Sequence, residues 1–427
     1  MTQPASPLHI ADFRRLLVAR CLAVLSSTGL VVVLAWQVYD VARAQYGMSP
    51  QQAAFQLGII GLVQFVPLFL LSPFAGLAAD RFDRRKLASL AMGIDAVMAI
   101  GLGTLTAAGL LNLPALFLLA SLHGVSRAFF GPALSAIAPN ILPAELLPRG
   151  IGMASVAFQG GIVTGPALAG LIYAFVPSAP YWAAVVMLLI GVIALLRIRP
   201  LPPHPSSDAA PLRQIAEGFR YVRRQKLLLG CVTLDLFAVL LAGATALLPV
   251  YARDILTWNG QPVGPIGLGQ MRAAPAVGAI LMGALLSWRP ISRNVGVKML
   301  LAVAVFGAAT AVFGISRNYL LSLGTLSVLG AADMVSVFIR TTLVQLNTPD
   351  EMRGRVGSIS GLAISASNEL GEMQSGVAAA LLGATGAVVF GGIGAIVVTG
   401  LWAVLFPQLR RSRTFASQYA SPKEQAT

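Results

Sequence analysis

Five acids, Asp95, Asp235, Asp333, Glu369 and Glu372, stand inside long apolar runs, together with the basic residue Arg127. A charge at the centre of a membrane helix costs about 2.5 to 3.5 kcal/mol on insertion scales, so such a side chain faces a cavity or a partner. An acid in that setting can carry a proton, and Glu369 and Glu372, three apart on one helical face, sit close enough to influence each other's ionisation. For each acid alone, a helix-to-helix ion pair is the plainer reading. Arg127 can bind an anion or answer an acid, and His123, one turn away on the same face, reads more simply as a hydrogen-bonded core histidine. Neither the three histidines nor Cys21 and Cys231 show metal-ligand or disulfide spacing, and no hydrolase, zinc-protease or nucleotide-binding motif is present. No metal or other cofactor is expected, and chemistry on a bound substrate has no support.

The elements that position these groups are apolar and long. Of 427 residues, 56% are apolar and 11% charged, and the mean hydropathy is +0.78. Twelve stretches are long enough to cross a bilayer: 15–39, 53–79, 86–108, 112–138, 150–176, 180–198, 228–252, 265–287, 296–315, 318–345, 354–382 and 384–406. We number them spans 1 to 12. The leader before span 1 lacks the small-residue cleavage site of a secretory signal, so span 1 is expected to be retained. A formal net charge of +14 invites a nucleic-acid reading, but the charge sorts by side: with the N-terminus inside, 23 of the 30 Lys and Arg fall in cytoplasmic segments. The positive-inside rule then places both termini in the cytoplasm, with lipid headgroups as a secondary partner.

Residues 199–212, RPLPPHPSSDAAPL, cannot span, and RQIAEGFRYVRRQK after them sets Ile215, Phe219 and Val222 opposite arginines, an amphipathic helix for the interface. The expected layout is an N-terminal six-helix bundle, 1–198; a cytoplasmic linker, 199–227; a C-terminal bundle, 228–407; and a cytoplasmic tail, 408–427. The halves repeat at an offset of 206 residues: Pro143, Glu145, Arg149, Gly165 and Gly170 fall on Pro349, Glu351, Arg355, Gly371 and Gly376. Two pseudo-symmetric bundles around a midplane site are the geometry of alternating access. At the same offset Asp333 corresponds to Arg127, which makes these two the sharpest candidate pair.

Between spans 2 and 3 the chain reads GLAADRFDRRKL, residues 76–87, with Gly76 placed for close helix approach, Asp80 at a helix end and Arg81, Arg84 and Arg85 at the headgroups. This loop resembles the G-x-L-A-D-R-x-G-R-R/K signature of the major facilitator superfamily, departing from it at Ala78 and at Asp83, where loop flexibility is expected to differ. Span 5 carries Gly152, Gly161, Gly165, Pro166, Ala169 and Gly170. Gly161, Gly165 and Ala169 make one smooth packing face, and the whole is similar to the G-x8-G-x3-G-P-x-x-G-G motif of the proton-antiporting exporters, with Ala169 for one Gly. Arg127, Phe130 and Gly131 resemble the family's R-x-x-Q-G, with Phe in place of Gln. QLNTPDEMRGRVG at 345–357 and Ser367 to Gly371 are similar to the enterobactin-exporter-like secretion permeases of that superfamily.

The resemblance implies an all-α membrane protein with twelve transmembrane helices in two six-helix bundles, and a secondary active transporter rather than an enzyme. It implies proton-coupled efflux of a small amphipathic molecule such as a drug or siderophore, through the inner membrane of a bacterium, without an ATPase subunit. A passive facilitator or an uptake permease of the same fold is the alternative, and a membrane-embedded enzyme the more remote one. Asp80 is expected to lock the cytoplasmic side by accepting from the start of span 11. Trp36, Gln37, Phe129, Phe237 and Phe338 are candidate walls of a substrate cavity, with ordinary packing at least as good a reading.

Overall fold

The computed structural model describes residues 6–135, 137–201 and 211–415. The linker residues 202–210 with His204, and the tail beyond 415 with Lys423, lie outside the described residues, as do the side chains of Asp80, Arg213 and Ile215. Eleven helical segments are long and apolar enough to cross a membrane. They are Ala11–Ala44, Pro50–Gly76, Arg84–Ala107, Leu113–Ile141, Leu147–Phe175, Ala179–Leu196, Lys226–Ile255, Gly264–Trp288, Val295–Ile315, Tyr319–Leu346 and Glu351–Leu405. The last holds 55 residues, about 80 Å of helix at 1.5 Å per residue against a hydrocarbon core of about 30 Å. It is two spans: at Gly383 the backbone leaves the helix with φ 72° and ψ 165°, where the eleventh span ends and the twelfth begins. The only strands among the described residues are two-residue pieces, Thr257–Trp258 and Gln261–Pro262, closed by Asn259 and Gly260 at positive φ. This Asn-Gly turn is the sequence signal for a tight hairpin, and the twelve-span reading passed over it.

Span 7 departs from the continuous helix expected over 228–252. Its regular part is Lys226–Leu241, followed by a 3₁₀ turn at Ala244–Leu247 and a π turn at Tyr251–Ile255. The cause is local. A Cβ at Gly243 would lie 2.7 Å from Gly371 O, Ser375 Oγ donates to Gly243 O at 3.1 Å, and Pro249 brings no N–H to the ladder. A broken helix inside a membrane needs such replacement partners.

The described chain divides into two compact units, one of Met1–Ser49, Ile59–Pro211 and Pro262–Ala273, the other of Pro50–Gly58, Leu212–Gln261 and Ala274–Thr427. Inside the first, span 5 lies against span 1: a Cβ at Gly161 would fall 2.7 Å from Val24 Cγ1 and one at Gly165 2.8 Å from Leu25 O, while Thr28 Oγ1 donates to Gly161 O at 3.1 Å. Only glycine permits that approach. Inside the second unit, span 11 meets span 7 in the same way, with Gly371 against Val239 O at 3.0 Å from a built Cβ. From the facing helices, Gly29 comes up to the Gly165 carbonyl and Gly243 to that of Gly371. The repeat-related Gly170 and Gly376 also match, Gly170 lying against Pro265 and Gly269 in the first unit and Gly376 against Gly58 in the second.

Pro211–Arg224 is a helix, and Val222 enters the core of the second unit while Phe219 stays exposed. Glu217 pairs with Arg355 at 3.2 Å and a Cβ at Gly218 would lie 2.9 Å from Arg355 O, so this helix is pinned to the start of span 11. Gly383→Ala places a Cβ where the backbone conformation is almost exclusive to glycine, at a cost of about 1 to 3 kcal/mol. Thermal unfolding in detergent should show a lowered midpoint for this variant, and an unchanged midpoint would refute the assignment of the turn.

Candidate functional site

Span 10 presents Asp333, Ser336 and Arg340 at i, i+3 and i+7, one face of one helix. Asp235 stands opposite on the regular part of span 7, and Arg340 Nη1 donates to Asp235 Oδ2 at 2.5 Å. Both are buried, Arg340 3% and Asp235 6% exposed, so the pair is desolvated and each charge depends on the other. Asp235, Asp333 and Ser336 also line a small cavity with Ala238, Val303 and Phe306, with room on the order of one water. Arg340 Nε and Ser336 Oγ are buried without a hydrogen-bond partner among the described residues. Two acids thus share one cavity and one arginine is bonded to only one of them.

A second polar cluster lies in the first unit. His123, 1% exposed, bonds through Nδ1 to Asp95 Oδ1 at 2.9 Å, and its Nε2 is 3.4 Å from Ser27 Oγ. Spans 3, 4 and 1 are joined by that chain. Arg20 on span 1 stands over the Phe158 ring of span 5, 5.6 Å from its centroid, with a buried Nε lacking a hydrogen-bond partner among the described residues.

The sequence-derived candidates distribute unevenly over these clusters. Asp235 and Asp333 come together; Asp95 joins His123, as the hydrogen-bonded core histidine reading of His123 expects. Arg127 is half-buried on span 4 and partnered, and it belongs to a different unit from Asp333. Glu369 is buried and Glu372 half-buried on span 11, and both are engaged. In the loop between spans 2 and 3, Asp83 caps span 3 by accepting from the Arg85 amide at 3.1 Å and pairs with the Arg85 side chain at 2.7 Å. Arg85 reaches on to Ile198 O at 2.5 Å, and Arg84 donates to Ala79 O at 3.1 Å. Arg81 is exposed. The aspartate that replaces the signature's glycine therefore ties the loop to its neighbours.

One expectation needs correction. Gly76 makes no close approach among the described residues: it is exposed, and a Cβ there would meet none of their atoms within 4 Å. Gly152 is likewise open, so in span 5 the close packing belongs to Gly161, Gly165 and Gly170, with Pro166 buried beside them. Among the proposed wall residues, Gln37 is a core residue that donates to Thr106 at 3.0 Å and accepts from Tyr181. Phe237 packs on Trp402 and Phe338 on Phe415, which is ordinary aromatic packing. Sequence reading singled out Arg127 among the in-span arginines and passed over Arg340, although its place two turns from Asp333 on one face was available. Arg20 and Ser336 were also missed. Nothing in the sequence marks Ser27 as a partner of His123.

Twelve apolar spans with charges paired and buried among them are the build of a polytopic membrane protein. A profile described as Major Facilitator Superfamily matches residues 16–372. The chain belongs to the Major Facilitator Superfamily. It is 28% identical over 378 residues to the enterobactin exporter EntS of Citrobacter koseri, covering 88% of this chain and 85% of that relative. It is 27% identical, over the same shares, to the enterobactin exporter EntS of Escherichia coli O1:K1. Among solved structures, a peptide transporter of the POT type in complex with sulfate superposes with a TM-score of 0.72 at 13% identity, covering 96% of this chain and all of that one. A human organic anion transporter gives 0.64 at 17% identity, covering 94% and 100%. These structures share the fold.

Removing one member of a desolvated ion pair costs about 3 to 5 kcal/mol, while removing both costs far less. Arg340→Gln and Asp235→Asn should each lower the unfolding midpoint, and the double variant should recover most of the loss. Additive losses in this cycle would contradict the pairing.

Proposed function

We propose that this transporter exports a small amphipathic molecule of the siderophore or drug type from the cytoplasm of a bacterium, driven by protons moving inward. The observation that carries the coupling is the arrangement on spans 7 and 10: Arg340 holds Asp235, and Asp333 shares their cavity without a hydrogen bond among the described residues. Asp333 is then the acid left to take up a proton from one side and release it to the other. A membrane potential supplies about 2.3 kcal/mol per charge per 100 mV, enough to drive export when that acid alternates its exposure. Support for the outward direction comes from the span 5 glycine pattern and from relatives named as enterobactin exporters.

In this reading both termini are cytoplasmic, and the bundles are 1–198 and 228–407, joined by the linker 199–227 and followed by the tail 408–427. Arg127 answers Asp333 from the pseudo-equivalent helix during the cycle, and Asp95, Glu369 and Glu372 are further candidates for coupling. The loop from Gly76 to Arg85 acts as the cytoplasmic gate, with Asp80 accepting from the start of span 11.

Proteoliposomes loaded with a catecholate siderophore, a dye or an antibiotic, under an imposed pH gradient, test this directly. Asp333→Asn should abolish gradient-driven flux, by about tenfold or more, and leave substrate exchange at equal pH intact. Gradient-driven flux at the wild-type rate in Asp333→Asn would rule the acid out, and exchange alone in the wild type would favour a passive facilitator.

A further inference from the structure

The transport reading above rests on the cluster of the second unit, and in the first it gives no task to His123, the buried partner of the coupling candidate Asp95. We propose that His123 and Asp95, with Ser27 as their outlet, form a second proton-binding site, lodged among spans 1, 3 and 4.

The geometry is that of an orienting acid, an imidazole and a hydroxyl in line. Nδ1–H of His123 donates to Asp95 at 2.9 Å, which fixes the ring and leaves Nε2 directed at Ser27, 3.4 Å away. With His123 neutral, Nε2 accepts from the Ser27 hydroxyl; with His123 protonated, Nε2–H donates to the same oxygen. A serine hydroxyl serves both roles by rotating. Proton uptake turns a buried carboxylate beside a neutral ring into an ion pair, so the two states differ by one whole charge in a desolvated place. Release runs the other way: the Nε2 proton passes to Ser27 Oγ while the hydroxyl's own proton goes to water. Ser27 is half-buried, whereas His123 is 1% and Asp95 7% exposed, so the serine is the most exposed member of this site.

The groups that face His123 allow this. From span 3 the ionisable group is Asp95, and Ser126, one turn along span 4, is spent on Ala91 O at 2.9 Å. From span 2 the nearby polar side chain is Gln64, whose backbone closes on Gly124 and whose amide donates to Ile60 O. From span 1 there is Ser27, with Arg20 two turns toward the N-terminus of that helix over Phe158. On its own helix Arg127 is one turn away and itself partnered. A purely packing histidine has no need of a hydroxyl at Nε2 that is also partly exposed.

The site's role in coupling rests on the proton-driven reading, but its titration does not. The chain has three histidines, His9, His123 and His204, so ¹⁵N-histidine NMR of the full-length protein in nanodiscs resolves His123, assigned by its loss in His123→Gln. The proposal expects a reversible change of protonation between about pH 5 and 8, with a midpoint that moves by about one pH unit or more in Asp95→Asn. A ring held in one protonation state across that range overturns it. In proteoliposomes His123→Gln, which keeps hydrogen-bonding capacity, should flatten the pH dependence of flux; a pH profile identical to wild type overturns the role in transport. A wild type indifferent to the proton gradient would instead remove the export reading while the NMR titration still decides the site.

Discussion

Burying charge without water is the constraint on which the rest of this structure depends. A bilayer leaves no solvent for a carboxylate or a guanidinium, and each must be answered by the protein or be neutralised. Arg340 and Asp235 answer each other across spans 10 and 7, and that bond fixes how the two helices face. Once it is made, the helical repeat brings Asp333 and Ser336 to the same small cavity. The broken end of span 7 two turns beyond Asp235 belongs to the same region, with Ser375 replacing a lost backbone partner.

Glycine supplies the second constraint. Without a hydrophobic drive between helices in lipid, close packing carries association, and the repeat mates Gly165 and Gly371 show the same solution in both halves of the sequence, the first against Leu25 O of span 1 and the second against Val239 O of span 7. The repeat visible at a fixed offset is therefore a repeat of packing. It leaves the two halves free to differ in chemistry: an acid–arginine pair with a second acid in one, an acid–histidine–serine chain in the other.

Most of the architecture was legible in the sequence because apolar length is a bulk property. The twelve expected spans match the helices to within a few residues, and even the break at Gly383 falls where the eleventh and twelfth spans were divided. Span 7 was misjudged as continuous because its interruption depends on Gly371 and Ser375, more than 120 residues away, which no local pattern reports. The site was legible as residue types and not as pairs. Asp95 and His123 stand 28 residues apart and Asp235 and Arg340 105 apart, so their meeting is a product of tertiary packing. Gly76 was overread: a glycine in a loop motif signals close approach only when something approaches.

Export in the proposed cycle requires that protons moving inward be exchanged for substrate moving outward. Voltage-clamped proteoliposomes report it through the proton-to-substrate ratio, obtained from the substrate gradient at which net flux reverses under a known pH difference. Coupling through the cavity of spans 7 and 10 predicts a reversal point that moves with the pH difference, at a ratio of at least about one proton per substrate. A reversal point that stays at equal substrate concentrations, whatever the pH difference, would contradict it.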